Sequence, residues 1–186
     1  MGIDIGGWVE IKSQTTKKWV GVIYINEILS RNYDMFGNLF DVMNYTTLVA
    51  PAPMRGLPKD LSLEGLGYHL DMEKAGGTLY QSWISWKEIK EIDLDEEGVD
   101  KRAYKHDKND DGELVNLNQK SSAPYTPEIL QPGTTWEVDG KVYKIHSIKR
   151  RDIFERSVEW MLLFDMVKLL ERRYSEESIR IVVWFW

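Results

Sequence analysis

The chain ends in IRIVVWFW, residues 179–186, and this run constrains the fold more than any other stretch. A strand covered on one side alternates apolar with polar residues. A near-continuous apolar run instead reads as a strand buried on both faces, central rather than at a sheet edge.

The rest of the chain supplies partners for it. Residues 3–13 (IDIGGWVEIKS) and 18–25 (KWVGVIYI) read as two strands, with the polar QTTKK suited to a hairpin loop. Gly6-Gly7 inside the first strand predicts a bulge or a close backbone approach. Tyr33, Phe36, Leu39 and Phe40 recur at helical spacing after Asn32, a plausible N-cap. APAPMRGLPKD holds three of the six prolines and reads as an ordered loop. Ser85 and Glu88 form the S-x-x-E pattern of a capping box and start a helix over 85–93. Residues 95–132 are polar and turn-rich, with a hairpin expected around 109–112, and read as a mobile insertion. Asp139-Gly140 between alternating strands is a type I′ turn pair. Asp152, with Glu155 three residues on, is expected to cap one long helix. Its apolar positions are Ile153, Trp160, Leu163, Phe164, Val167, Leu170 and Tyr174. The chain therefore reads as a single α+β domain over 1–186. Its sheet is expected to be mixed and mostly antiparallel, with the long C-terminal helix packed on it and short helices near 31–42 and 85–93.

Composition bounds the function. A formal net charge of −6 argues against direct binding of nucleic acid or an anionic membrane, which needs a clustered positive surface. No window approaches the ~20 apolar residues of a membrane span, and the acidic start MGIDIGGWVEIK does not read as a signal peptide. Gly6 stands at the Ser/Thr position of the myristoylation pattern. The absence of cysteine fits a reducing cytosol and removes thiolate metal sites. Eight tryptophans and nine tyrosines fill a core or face a partner, since both residue types favour interfaces.

No cofactor or metal is expected. Asp107, Asn109, Asp111 and Gly112 match the start of a calcium loop, but Asn118 stands where the closing bidentate carboxylate is required. His69, His106 and His146 stand apart in sequence, and neither a nucleophile elbow nor a phosphate-binding loop is present. The acidic run 87–101 reads as a solvated face, or more sharply as a phosphate-mimicking surface. The polar residues that stand out are Arg31, Asn32, Tyr33, Asn44, Arg55, Asp60, Ser82 and Trp83. Arginine before a helix and on a proline-restrained loop clamps a carboxylate or phosphate, or else pins its own loop.

The blocks G-x-D-I, R-N-Y-x-x-F-x-x-L-F-x-V-x-N, R-G-L-P-x-D-x-S, S-W-I-S-x-x-E and R-x-V-V-W-F resemble a family of uncharacterised proteins encoded by bacteriophages, prophages and assorted bacteria. The resemblance covers residues 1–93 and the C-terminal end. It implies cysteine and histidine where Ile3 and Gly6 stand, and histidine in place of Leu79. Losing them tips the expectation from enzyme toward binder. The leading expectation is a non-catalytic, phage-encoded binder of a host protein, a counter-immunity protein in the host cytosol. Alternatives are a protein that sequesters an anionic nucleotide, using Arg31 and Arg55 on phosphate and Trp83 or Tyr33 on a base, and a metal-dependent enzyme using Asp4, Glu10 and Asp60. A virion or replication accessory protein is the remaining alternative. Homo-oligomerisation is left open.

Overall fold

The computed structural model describes residues 2–108, 113–121 and 131–186. In it the C-terminal run forms the last strand, β10 (Ile179–Phe185), and every one of its residues is buried. It lies between β1 (Ile5–Lys12) and β3 (Tyr80–Ser85), and β2 (Trp19–Tyr24) flanks β1, giving the order β2-β1-β10-β3. The central position read from the apolar run is the observed one. All described strand pairings are antiparallel, so the sheet lacks the parallel component expected of a mixed one.

Burial on both faces follows from what covers each side. Ile179, Ile181, Val183 and Phe185 join Val9, Ile11 and Ile84 in the main core. There they meet Phe36, Leu39 and Phe40 of α1 (Tyr33–Phe40) and Trp160, Leu163, Phe164 and Val167 of α5 (Val158–Glu171). Val182 and Trp184 alternate to the opposite face, where α2 (Leu63–Lys74) lies across the sheet and sets Tyr68 edge-on against Trp184 at 5.0 Å. Helix α2 is absent from the sequence reading for a physical reason. Its only buried residue is Gly65, so no apolar stripe marks a core-facing side.

Asn32 caps α1 by accepting the Met35 amide, and Ser85 and Glu88 complete their capping box at α3 (Trp86–Lys90). The expected single C-terminal helix is two. The first, α4 (Arg150–Arg156), carries Asp152 in its first turn rather than at its cap, and α5 follows. Ser157 breaks the run at φ −99° and ψ 70°. Its hydroxyl donates back to the Ile153 carbonyl at 2.7 Å and accepts from Asn32 Nδ2 at 3.0 Å. Serine that bonds its own helix backbone competes with helix continuation.

Gly7 is the close approach expected of the glycine pair. At φ +144° a β-carbon there would lie 2.1 Å from the Val182 carbonyl oxygen. The register shift sits further along, at Val9/Glu10 opposite β2.

The remaining strands form two smaller sheets. One pairs β4 (Glu97–Val99) with β9 (Ser147–Lys149). The other comprises β5 (Ala103–Lys108), β6 (Leu114–Ser121), β7 (Thr135–Val138) and β8 (Lys141–Lys144) in the order β6-β5-β8-β7. Asp139 and Gly140 both have left-handed φ, 51° and 72°, as a type I′ turn requires. β5 and β6 pair from Lys108↔Leu114 onward. The turn expected at 109–112, the calcium-loop positions within it, and residues 122–130 of the expected mobile insertion lie outside the described residues.

Candidate functional site

The eight polar residues singled out in the sequence fall into three places. Arg31, Asn32 and Tyr33 staple the start of the chain to the helices. Arg31 donates Nε and a terminal NH2 to the two carboxylate oxygens of Asp4, at 3.0 and 2.8 Å. Tyr33 Oη accepts from the Ile3 amide at 3.1 Å, and Asn32 joins α1 to Ser157.

Asn44, Arg55 and Ser82 meet at a different structure, the segment 41–55. Asn44 Nδ2 donates to Asp41 and to the Leu48 carbonyl, and its Oδ1 accepts from the Thr46 amide and hydroxyl. At the other end the buried Ser82 hydroxyl donates to the Ala52 carbonyl at 2.7 Å and accepts from the Arg55 amide at 3.2 Å. The Arg55 guanidinium donates to both carboxylate oxygens of Glu88, at 3.2 and 2.7 Å, and to the Pro51 carbonyl at 2.5 Å. Burial pushes the Glu88 carboxyl up, but bonds from Arg55 and from the Ser85 amide and hydroxyl outweigh it and hold it below the ordinary range. Arg150, buried at the centre, donates to the carbonyls of Asn38 and Val49, to the Asn38 side chain and to Glu96.

These braces fix an uncommon backbone. Asp41, Met43 and Met54 all have left-handed φ, at 61°, 52° and 25°, a conformation that side chains with a β-carbon seldom adopt. The braced segment turns Val49 (76% exposed), Met43 and Met54 outward. Beside Val49 is an open hollow of about 440 Å³, lined also by Asn44, Thr46, Pro53 and Lys101 among others. Asn44 and Arg55, singled out in the sequence as ligand- or partner-binding residues, here brace the chain itself; Arg150 and the exposed apolar trio were not singled out. Left-handed φ at Asp41 and Met43 leaves no compositional mark.

Asp60 and Trp83 belong to the third place, the α2-covered face of the sheet. Arg180 of β10 donates Nε to Glu10 Oε2 at 2.8 Å, one terminal nitrogen to Asp60 Oδ1 at 2.7 Å and the other to the Asp60 carbonyl at 2.9 Å. Glu10 Oε1 accepts from the Ser62 amide, and Asp60 Oδ2 from Trp19 Nε1 at 2.8 Å. The guanidinium lies 3.9 Å from the Trp19 ring centroid, and Trp83 sits between Arg180 and Arg55 at 5.9 and 5.0 Å. Burial pushes the Asp60 carboxyl up, yet the bonds from Arg180 and Trp19 leave it lowered.

The two arginines read as phosphate clamps thus each hold a carboxylate with their forked face. Asp4, Glu10 and Asp60 do not form one metal site. The backbone of Asp4 pairs with Trp186 while Glu10 sits opposite Arg180, an offset of roughly 20 Å along β10 at strand rise. Among the described residues no group of three or more histidine, aspartate or glutamate side chains is arranged to hold a metal. Two histidines that stand apart in sequence do meet. The rings of His106 and His146 stack at 5.8 Å and 19°, with the Tyr104 ring 4.5 Å from that of His146. Burial, then Lys144 and His106, lower the His146 pKa. Ile3, Gly6 and Leu79, where the resemblance implies cysteine and histidines, all lie around the C-terminal end of β10. There Asn26 bridges the Gly7 amide and Tyr68 Oη, in the space a side chain at position 6 would need.

The acidic run is largely paired within the fold. Glu88 holds Arg55, Asp95 holds Arg151, Glu96 holds Arg150, Glu97 holds Lys149 and Asp100 holds Arg102. No helix among the described residues is long and apolar enough to cross a membrane. No protein-family model matches the chain, nor does any curated protein or solved structure.

Proposed function

We propose that this chain is a non-catalytic binding protein that docks a host protein through the braced segment 41–55. What carries this reading is the exposure of Val49, Met43 and Met54 on a backbone held from behind by Asn44, Arg55, Ser82 and Arg150. A prearranged loop loses little conformational entropy on docking, and methionine adapts its shape to a partner surface. Lys101 at the rim of the hollow suits a carboxylate on the partner. The resemblance to phage-encoded proteins supports a bacterial host partner in the cytosol and a counter-immunity role.

The test is phage plaquing on hosts that carry candidate defence systems, with the wild-type protein or Val49→Asp expressed. Restored plaquing by the wild type and its loss in the folded variant are expected. Equal plaquing with and without the protein, across the systems tested, contradicts the reading.

A further inference from the structure

We propose that two copies of this chain associate through α2, packed antiparallel about a two-fold axis that passes between Leu66 and Gly67. Leu63, Leu66 and Leu70 are 81%, 44% and 51% exposed. At 3.6 residues per turn they share one face with Gly67 and Lys74, opposite the side that carries Tyr68 and Met72.

This face is complementary to itself. An antiparallel copy centred between residues 66 and 67 sets Leu63 against Leu70 of the other chain, and Leu66 against Gly67. A β-carbon on Gly67 would meet nothing within 4 Å inside the protomer, so the glycine offers an open notch. Opposite it stands a leucine of the right size to enter. A two-fold interface requires this kind of reciprocity, in which residue i meets j and j meets i.

The charges agree with the same orientation. At the N-terminal end of α2, Lys17 and Lys18 share a hollow with Leu63, and Lys59 precedes it by four residues. The acids at that end, Asp60 and Glu64, are exposed but already engaged within the protomer: Asp60 is held by Arg180 and Trp19, and Glu64 by the Gly21 amide. At the C-terminal end Asp71, Glu73 and Lys74 are all exposed, and Lys74 pairs with Asp71 on the surface, leaving Glu73 as the excess charge. Antiparallel packing brings the lysine end of each copy onto the acidic end of the other. Parallel packing would set lysines against lysines. One 12-residue helix and its flanks cover less than the roughly 800 Å² per partner of a tight interface, so association in the micromolar range is expected. The face shares no residue with segment 41–55, and the inference does not rest on the proposed function.

Sedimentation equilibrium of the full chain between about 5 and 300 μM tests it. The wild type should show a monomer–dimer equilibrium that weakens with added salt. Leu66→Asp should weaken it at least about tenfold. Gly67→Leu is the decisive variant, because it adds apolar surface yet fills the notch. Its circular dichroism should be unchanged while the dimer is lost. Lys17→Glu with Lys18→Glu should weaken association, and adding Asp71→Lys with Glu73→Lys should restore it. A wild type that stays monomeric to 300 μM overturns the proposal. So does a folded Gly67→Leu that associates as strongly as the wild type, or a charge swap that fails to restore association.

Discussion

Arg180 and Glu10 face each other across β10 and β1, 3% and 0% exposed, with their charged atoms 2.8 Å apart. The pair sits within a strand otherwise made of apolar residues, and it ties three things together. Glu10 holds the Ser62 amide at the start of α2, Arg180 holds Asp60, and Trp19 closes over the guanidinium. The second face of the sheet is therefore organised around an ion pair.

Removing one partner should be far worse than removing both. Arg180→Met leaves Glu10 as an uncompensated buried carboxylate and should cost about 3–5 kcal/mol in urea unfolding. Arg180→Met with Glu10→Met removes both charges and should regain more than half of that loss. Asp60 is exposed enough to be solvated by water instead. A double variant as unstable as the single would show that the pair is needed for more than charge balance.

Asn44 closes the first half of the braced segment with four hydrogen bonds. Asn44→Ala should lower stability by about 1–3 kcal/mol, because the Leu48 carbonyl and Thr46 amide lose their partner. Limited proteolysis should show new cleavage between residues 44 and 54, with the rest of the chain as resistant as before.

Acid should loosen the other end. The folded Glu88 carboxyl titrates below the ordinary range because Arg55 and Ser85 outweigh the effect of burial. Its contribution is thus fully present above the unfolded glutamate pKa, about 4.3, and is lost as pH falls through the lowered folded value. The difference in urea midpoint between wild type and Glu88→Gln should be largest near neutral pH and shrink toward pH 3. A difference that stays constant over that range would contradict this assignment.

How much of this was legible beforehand depended on whether a residue's role left a pattern in its neighbours. The run 179–186 announced a central strand because two-sided burial demands continuous apolar residues. Asn32, Ser85 with Glu88, and Asp139 with Gly140 announced a cap, a capping box and a turn because those roles need particular side chains at fixed spacing. Helix α2 left no such pattern, since its leucines point outward and its buried side is held by a glycine, a serine cap and a tyrosine. The break at Ser157 was hidden because apolar spacing continues through it. At the site, Asn44, Arg55 and Ser82 were visible as polar residues in odd company. That they brace one segment, while Arg31 holds Asp4 elsewhere, is decided by the tertiary path of the chain. Arg150 was hidden among the charges of Lys149, Arg151 and Asp152, whereas Arg180 went unremarked although a lone charge inside an apolar run is a signal that burial must be compensated.

The most direct measurement is affinity capture from lysates of candidate bacterial hosts, with tagged wild-type protein, Val49→Asp, Met54→Asp and Leu66→Asp compared at equal loading. The account predicts one host protein retained in near-stoichiometric amount by the wild type and by Leu66→Asp, and lost from Val49→Asp and Met54→Asp although both remain folded. Retention of that protein by the two segment variants, or its loss only from Leu66→Asp, would contradict docking through residues 41–55.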